Sequence, residues 1–420
     1  MTGPRLARRL GTFDAVVVGL GAMVGAGVFA AFAPAAAAAG GWLLVALAIA
    51  AVVAYCNAVS SARLAALYPE SGGTYVYGRR RLGDFWGYLA GWGFVVGKTA
   101  SCAAMALTFG AYVAPAYARP LAVGAVVALT SLNLLGVHKS ALATRVIVGF
   151  SLAVLAAVAG AVLLGGDTGR VGFGGGPAVS VWGVLQAAGL LFFAFAGYAR
   201  IATLGEEVKV PTRTIPRAIP IALTIALVVY AAVAVATLSA LGPAALAMST
   251  APLADAVTAA GAGWLTPVVR VGAAAAALGA LLALVLGVSR TVLAMARDRH
   301  LPAALDVVHP VRQVPHRAEV VVGAAVVVLV LVADLRGAIG FSSFGVLVYY
   351  AIANASARTL RRDEGAPPRA VPLLGLTGCL VLAATLPTVS VLSGLAVFVV
   401  GALLWLVNVR RRRSRTPAPR

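Results

Sequence analysis

The sequence predicts an all-α integral membrane protein with about twelve transmembrane helices. Of its 420 residues, 61% are hydrophobic and only 11% are charged, and the mean hydropathy is +0.97. Soluble domains carry roughly 45–50% apolar residues, so this excess indicates a bilayer environment. The apolar residues form continuous runs that suit helices of about 20 residues, whereas an outer-membrane barrel would show alternation.

Charges, prolines and glycines bound twelve apolar runs in the chain. The first run is too long for a removable signal peptide and lacks a small-residue cleavage site after a short core. The last two runs are separated only by Pro387 and Thr388. The predicted spans are 14–36, 41–66, 86–114, 120–136, 144–165, 182–204, 217–241, 264–296, 318–334, 338–359, 371–387 and 389–409.

The distribution of basic residues predicts the orientation of these spans. With the N-terminus inside, 27 of the 33 Lys and Arg residues belong to cytoplasmic segments and span ends, and four belong to outside segments. The other two, Lys98 and Arg200, lie within predicted spans. Cytoplasmic loops are enriched in Lys and Arg. The sequence therefore predicts a multi-pass protein of the cell (cytoplasmic) membrane with both termini in the cytoplasm.

Composition also argues against several partners and cofactors. The net charge of +20 does not indicate nucleic-acid binding, because the basic residues occupy the short connectors between spans. Cys56, Cys102 and Cys379 lie in apolar runs without a CxxC pattern, which is typical of small buried hydrophobic residues. No metal site and no other cofactor is expected.

Ionisable residues at membrane depth are expected to be scarce and functional. The sequence places no Asp, Glu or His in a predicted hydrocarbon core. This pattern argues against a membrane enzyme that needs a carboxylate or imidazole at depth, and we expect that the protein is not an enzyme. The four histidines all fall in predicted cytoplasmic connectors: His138, His300, His309 and His316.

Spans 1 and 6 each carry a weak point for a helix. The first contains four glycines within residues 19–27, and the sixth contains Phe-Phe-Ala-Phe-Ala-Gly-Tyr at 192–198. Glycine costs about 1 kcal/mol relative to alanine inside a helix. Close packing through Gly21-x-x-x-Gly25 is one interpretation. The other is a transporter built from inverted five-span repeats, in which freed backbone groups line a cavity that binds a zwitterion.

Four sequence motifs follow one another along the chain: GAMVGAGVF at 21–29, PESGGTY at 69–75, FFAFAGYARIATLGEEVKVPTRTIPRAI at 192–219, and Ser289-Arg290 followed by MARDRHLP at 295–302. In this order they resemble the motifs of the amino acid–polyamine–organocation (APC) superfamily, in its cationic-amino-acid-transporter-like branch. The resemblance covers roughly residues 10–410. It implies a permease that moves amino acids by alternating access.

The resemblance also implies a domain organisation like that of the leucine transporter. Residues 1–13 form a cytoplasmic N-terminus, 14–165 the first five-helix repeat and 182–359 the second, inverted repeat. Spans 1 and 6 are the interrupted helices. Residues 371–409 form two extra C-terminal helices, and 410–420 form a basic cytoplasmic tail.

Site residues follow from the same resemblance. The substrate carboxylate would meet backbone N–H groups at Gly25, Ala26 and Gly27. The α-ammonium would meet carbonyls at Met23, Phe193 and Ala196, with Gly197 beside them. Phe193 or Phe195 would act as an aromatic gate, and ordinary packing is the alternative for Phe193.

Two positions depart from the family pattern. Ala199 stands where many relatives carry an acidic residue, which favours a neutral, small or apolar amino acid as substrate. Ser151 stands where proton-linked relatives carry a lysine, so a coupling proton is left open. Span 8 offers no Ser or Thr from Val271 to Leu286 for a sodium site.

Two charged residues are candidates for gating or coupling. Lys98 lies about 18 Å into span 3 at 1.5 Å per residue, near the bilayer midplane. We expect it either to meet carbonyls of the interrupted spans 1 and 6 or to lose its proton. Glu206 follows span 6 and is either half of a gating ion pair or part of a solvated loop.

Several alternatives stay open at this point. They are a transporter of cationic amino acids or polyamines, a protein of the major facilitator type, and a channel-like membrane protein. The expected partners are an amino acid and the lipid bilayer, and the expected oligomeric state is a monomer or a weak homo-oligomer. The sequence does not distinguish uptake, export and exchange.

Overall fold

The computed structural model describes residues 10–70, 72–136, 141–165, 180–202 and 208–413, and these residues fold into helices with no β-strand. The only bridge between extended segments in this part of the chain pairs Leu10 with Val208. It ties the residues before the first helix to those before the eleventh. The predicted all-α class is confirmed.

Seventeen α-helices are present in the described residues. In the first half they are α1 Thr12–Met23, α2 Ala26–Ala30, α3 Phe32–Ala39, α4 Leu43–Leu67, α5 Thr74–Leu82, α6 Asp84–Val113, α7 Ala118–Leu134 and α8 Ala141–Gly165. In the second half they are α9 Val181–Phe195, α10 Ala199–Ala202, α11 Pro211–Met248, α12 Pro252–Ala259, α13 Thr266–Arg297, α14 His316–Val332, α15 Leu335–Ala357, α16 Ala370–Thr385 and α17 Thr388–Arg413.

Ten helical segments of the described residues are long and apolar enough to cross a membrane. Ten of the predicted spans each correspond to one of these segments, although the segment Phe32–Leu67 also includes the end of the predicted span 14–36. The other two predicted spans, 318–334 and 371–387, correspond to α14 and α16, which have 17 and 16 residues. These two helices are shorter than the roughly 20 residues of an upright membrane crossing.

Burial separates central helices from peripheral ones. In the apolar window of α15, 83% of the residues are buried, compared with 17% in α17. The centre is tight because α6 and α15 meet through glycines: the Cα of Gly97 lies 2.9 Å from the point that a Cβ on Gly345 would occupy. Small residues let helix backbones approach closely where no water drives association.

A buried amide pair connects α4 with α15. Asn354 donates to the side-chain oxygen of Asn57 at 2.6 Å and accepts from the Ser60 hydroxyl at 2.7 Å. The Cys379 thiol lies 3.4 Å from the same Asn57 oxygen. Polar groups buried among apolar helices need such partners. All three cysteines are buried and free, as the sequence predicts.

Candidate substrate site

The glycine-rich stretch of the first span contains a junction between two helices. α1 ends at Met23 and α2 begins at Ala26, with Val24 at φ −80°, ψ 40° and Gly25 at φ −93°, ψ −141°. Neither residue has helical dihedral angles, and the first N–H groups of α2 have no acceptor in a preceding turn. We call residues 24–25 the first junction.

The sixth predicted span contains a corresponding change of geometry. α9 ends at Phe195, a 3₁₀ turn covers Ala196–Tyr198, and α10 begins at Ala199. A 3₁₀ turn alters which carbonyls are available, because its hydrogen bonds span three residues instead of four. We call Ala196–Tyr198 the second junction.

The first and sixth spans are in close backbone contact through glycines next to the two junctions. A Cβ on Gly197 would lie 2.3 Å from the carbonyl carbon of Ala22 and 2.5 Å from the nitrogen of Met23. A Cβ on Gly27 would lie 2.6 Å from the Cα of Ala194. Both contacts involve backbone, which cannot rotate away as a side chain can. Close approach of these two backbone segments therefore requires glycine at both positions.

Gly25 packs against a third element. A Cβ there would lie 2.8 Å from the Cβ of Ala280 on α13. The first junction is thus enclosed by α9 on one side and α13 on the other. The packing that the GxxxG pattern predicts is present, together with the non-helical geometry.

Side chains from other helices bind the carbonyls at the junctions. The Tyr230 hydroxyl of α11 lies 2.6 Å from the oxygen of Met23 and 2.9 Å from that of Ala194. The oxygen of Ala196 accepts from Lys98 Nζ at 3.1 Å and from the Tyr350 hydroxyl at 3.4 Å. Two of the three carbonyls expected from the sequence, those of Met23 and Ala196, therefore lie beside polar side chains.

Lys98 is buried on α6, with 7% of its surface exposed. Its Nζ donates to the Ala196 carbonyl, which is the carbonyl partner in the sixth span that the sequence predicts. None of the ion pairs between described residues includes Lys98. The polar partner that the described residues give this side chain is therefore a neutral oxygen.

Aromatic rings surround the second junction. Phe195 is fully buried, and its ring centre lies 5.0 Å from that of Tyr230. Tyr198 and Tyr350 stack at 5.0 Å. Phe193 is 7% exposed. The phenylalanines are among the residues predicted from the sequence, whereas Tyr230 and Tyr350 are not, although a Tyr inside an apolar run signals a hydroxyl that needs a partner.

One carboxylate is buried at the end of a predicted span. Glu319 is fully buried in the first turn of α14 and is the second residue of the predicted span 318–334. The sequence predicts no carboxylate in the hydrocarbon core, and this residue lies at the edge of its span. Packing against neighbouring helices, which the sequence does not specify, buries it.

Three other predicted positions have simple outcomes. Ala199 is 3% exposed at the start of α10. The Ser151 hydroxyl donates to its own helix, to the oxygen of Ile147 at 2.8 Å. Glu206 lies outside the described residues.

Two of the sequence motifs meet away from the junctions. The Tyr75 hydroxyl of α5 donates to Asp298 at 2.5 Å and lies 2.8 Å from Nδ1 of His300. Arg79 forms an ion pair with the same Asp298. Burial and the adjacent Asp298 carboxylate raise the pKa of the Tyr75 phenol, which therefore stays protonated and donates. The 69–75 and 295–302 motifs thus join α5 to the end of α13.

Asp298→Asn is expected to lower the stability of this connection. The Arg79–Asp298 side chains are about one-third exposed, so solvent screening limits the loss to about 1 kcal/mol. Thermal unfolding in detergent measures the change. Asp306→Asn is the matched control, because its ion pair with Arg297 is more exposed and should contribute almost nothing. An equal loss in both variants would contradict the proposed difference.

Comparison with known proteins identifies the family. Residues 10–416 match the family described as amino acid permease. An uncharacterized transporter of Mycobacterium tuberculosis is 67% identical over 413 residues, which cover 98% of this chain and 93% of the relative. A branched-chain amino acid permease of Bacillus subtilis is 25% identical, with 97% and 94% covered. Cationic amino acid transporter 7, chloroplastic, of Arabidopsis thaliana is 29% identical, with 84% and 66% covered.

These matches confirm the resemblance drawn from the four motifs. The family match spans nearly the whole chain, including both junctions. It favours this family over the major facilitator class, and transporters are not an enzyme class. The chain therefore belongs to the amino acid permease family, within the APC superfamily, and is a multi-pass membrane transporter of amino acids.

Proposed function

We propose that the protein is a secondary active transporter that moves neutral amino acids across the cell membrane by alternating access. In this proposal, residues 14–165 and 182–359 are the two inverted repeats, and both termini are cytoplasmic. The observation that carries the proposal is the close backbone contact between the first and sixth spans at Gly27 and Gly197, on either side of the junctions. Non-helical backbone at membrane depth is tolerated where it lines a binding cavity.

The substrate is proposed to bind between the two junctions. Backbone N–H groups at Gly25, Ala26 and Gly27 are suited to a carboxylate, because the first N–H groups of a helix lack intrahelical acceptors and carry partial positive charge. The carbonyls suited to an α-ammonium are those of Met23, Phe193 and Ala196, beside Gly197. Phe193 and Phe195 supply apolar surface, and the buried Phe195 is the stronger candidate for a gate.

Lys98 supports a neutral substrate. Its Nζ bonds the Ala196 carbonyl, the same oxygen that we assign to the substrate ammonium. Two like unit charges 4 Å apart repel by about 4 kcal/mol at an effective dielectric of about 20. A charged Lys98 and the α-ammonium of any amino acid therefore cannot share this oxygen, and a second cationic group on the substrate would add to the repulsion. We propose that Lys98 releases the carbonyl when substrate binds, which links occupancy of the site to the position of α6.

The names of these relatives refer to two classes of substrate. The Bacillus subtilis relative is called a branched-chain amino acid permease, and the Arabidopsis thaliana relative a cationic amino acid transporter. A cationic substrate is therefore the second candidate. The cation on Lys98 and the alanine at position 199 favour a neutral substrate.

A thermal-shift screen of the twenty amino acids tests the substrate class. A ligand at 100 times its Kd adds about 2.7 kcal/mol to the free energy of unfolding. We expect one or more small or apolar amino acids to stabilise the purified protein to this extent. Arginine and lysine should give no shift at the same concentrations. Stabilisation by arginine or lysine that exceeds that by alanine or leucine would support the second candidate.

A further inference from the structure

Glu319 is a buried carboxylate that the proposed substrate site does not use. The whole residue is 0% exposed, and neither carboxylate oxygen has a hydrogen-bond partner of good geometry among the described residues. A buried charge without partners is far more costly than a buried neutral acid. Such a group needs either a cation or a proton.

Its polar neighbours come from two other helices. Asn133, at the end of α7, and Ser289, on α13, lie within reach of the Glu319 carboxylate. One turn further along α14, a Cβ on Gly323 would lie 2.8 Å from the Thr130 side chain, whose hydroxyl also has no partner among the described residues. These residues form a buried polar cluster at the α7–α13–α14 interface.

Ionisable groups face Glu319 from two of the packed helices and from its own. The charge of Arg290 on α13 acts on it, and the Cys102 thiol of α6 lies within electrostatic range of both Glu319 and Lys98. His316 and Arg317 belong to its own first turn. The Arg317 guanidinium donates to the Ala304 carbonyl at 3.2 Å.

The hydrogen bonds of these neighbours indicate the protonation state. The Ser289 hydroxyl donates its only proton to the Val285 carbonyl at 2.7 Å. It therefore offers Glu319 lone pairs alone. The Asn133 amide nitrogen uses one of its two N–H groups on the Leu282 carbonyl at 3.3 Å, so Asn133 can still donate one N–H or accept through its side-chain oxygen. A protonated Glu319 satisfies both neighbours, because its O–H can donate to the Ser289 oxygen and its carbonyl oxygen can accept from Asn133.

We infer that Glu319 is a proton-binding site, protonated in this structure, and that loss of its proton loosens the α7–α13–α14 interface during transport. The inference rests on the proposed transport function for its role in the cycle. The protonation itself rests on the burial of the carboxyl group and on the hydrogen bonds that the neighbouring polar side chains make with other groups.

α13 connects this site with the substrate site. Ala280 of α13 packs against Gly25 of the first junction, and Ser289 lies nine residues further along the same helix. Nine residues of α-helix span about 13.5 Å. A shift of α13 when Glu319 ionises therefore acts directly on the packing around the first junction.

The first test needs no substrate. Because the folded protein holds a proton that the unfolded chain releases, the stability of the wild type should fall as pH rises above the ordinary range of glutamate. Thermal unfolding from pH 5 to 9 measures this slope. Glu319→Gln should remove the part of the slope that Glu319 contributes, and Glu319→Asp should retain it. Glu70→Gln is the control, because Glu70 is an exposed partner of Arg80.

An unchanged slope in Glu319→Gln would overturn the inference. If that variant does not fold, infrared spectroscopy of the wild type provides the test. A protonated carboxyl group gives a C=O band at pH 7, and absence of this band would overturn the inference equally. Both measurements are independent of transport, so they stand even if no amino acid proves to be a substrate.

The second test concerns the role in the cycle. In proteoliposomes, Glu319→Gln should still exchange amino acids. Its accumulation of amino acid driven by a pH gradient should be at least fivefold lower than that of the wild type. Accumulation equal to that of the wild type would overturn the coupling role. Absence of all transport by the wild type would instead contradict the proposed function.

Discussion

Gly197→Ala is expected to abolish transport and to lower the stability of the protein. The added methyl would lie 2.3 Å from the carbonyl carbon of Ala22 and 2.4 Å from its oxygen. Neither backbone can give way without separating the two junctions. Overpacking of a tight core costs about 1–3 kcal/mol, and this contact is closer than ordinary overpacking. Uptake into proteoliposomes and thermal unfolding in detergent measure the two effects.

A matched glycine variant serves as the control. Gly124→Ala, on α7, places its methyl in open space with nothing within 4 Å. It should keep full transport and gain slightly in stability, since alanine is favoured over glycine in a helix by about 1 kcal/mol. Gly27→Ala should resemble Gly197→Ala, because its methyl would meet the Cα of Ala194 at 2.6 Å. Normal transport by both junction variants would show that the substrate binds elsewhere.

Lys98→Met is expected to reduce transport at least tenfold and to change its dependence on pH. Methionine keeps the apolar stem and removes the ammonium that bonds the Ala196 carbonyl. The Ala196 carbonyl keeps only the longer bond from the Tyr350 hydroxyl at 3.4 Å, and the charge that we propose to respond to substrate is lost. Initial rates of uptake from pH 5 to 9 measure the effect.

Lys98→Arg keeps a positive charge and provides the comparison. The pH profile of its transport should be closer to that of the parent, although the planar guanidinium does not reproduce the geometry of an ammonium. A pH profile of Lys98→Met with the same shape as that of the parent would mean that Lys98 is not a coupling residue. The pH dependence would then belong to Glu319 or to another group.

Much of the fold was predictable because membrane helices are specified locally. The run 86–114 matches α6 at Asp84–Val113, and the run 144–165 matches α8 at Ala141–Gly165. Length and hydropathy are sufficient for such helices, since every backbone polar group in lipid must be satisfied within the segment. Glycine spacing also indicated the first junction, because helix propensity is a local property.

The partners of the junctions were not predictable in the same way. Tyr230 lies 207 residues from Met23 in sequence, and Lys98 lies 98 residues from Ala196. No local pattern specifies which buried hydroxyl or ammonium meets which carbonyl. The burial of Glu319 was not predictable for a related reason, because it depends on how α7 and α13 pack around the start of α14.

Exchange in proteoliposomes tests the central claim most directly. Vesicles that contain the purified protein and unlabelled leucine or alanine are placed in a trace of the same labelled amino acid, with competitors added outside. We expect saturable uptake of label, inhibition by small and apolar amino acids, and no inhibition by arginine or lysine at equal concentration. Uptake that does not saturate would indicate a channel-like protein, and uptake that prefers arginine or lysine would contradict the assignment of a neutral substrate.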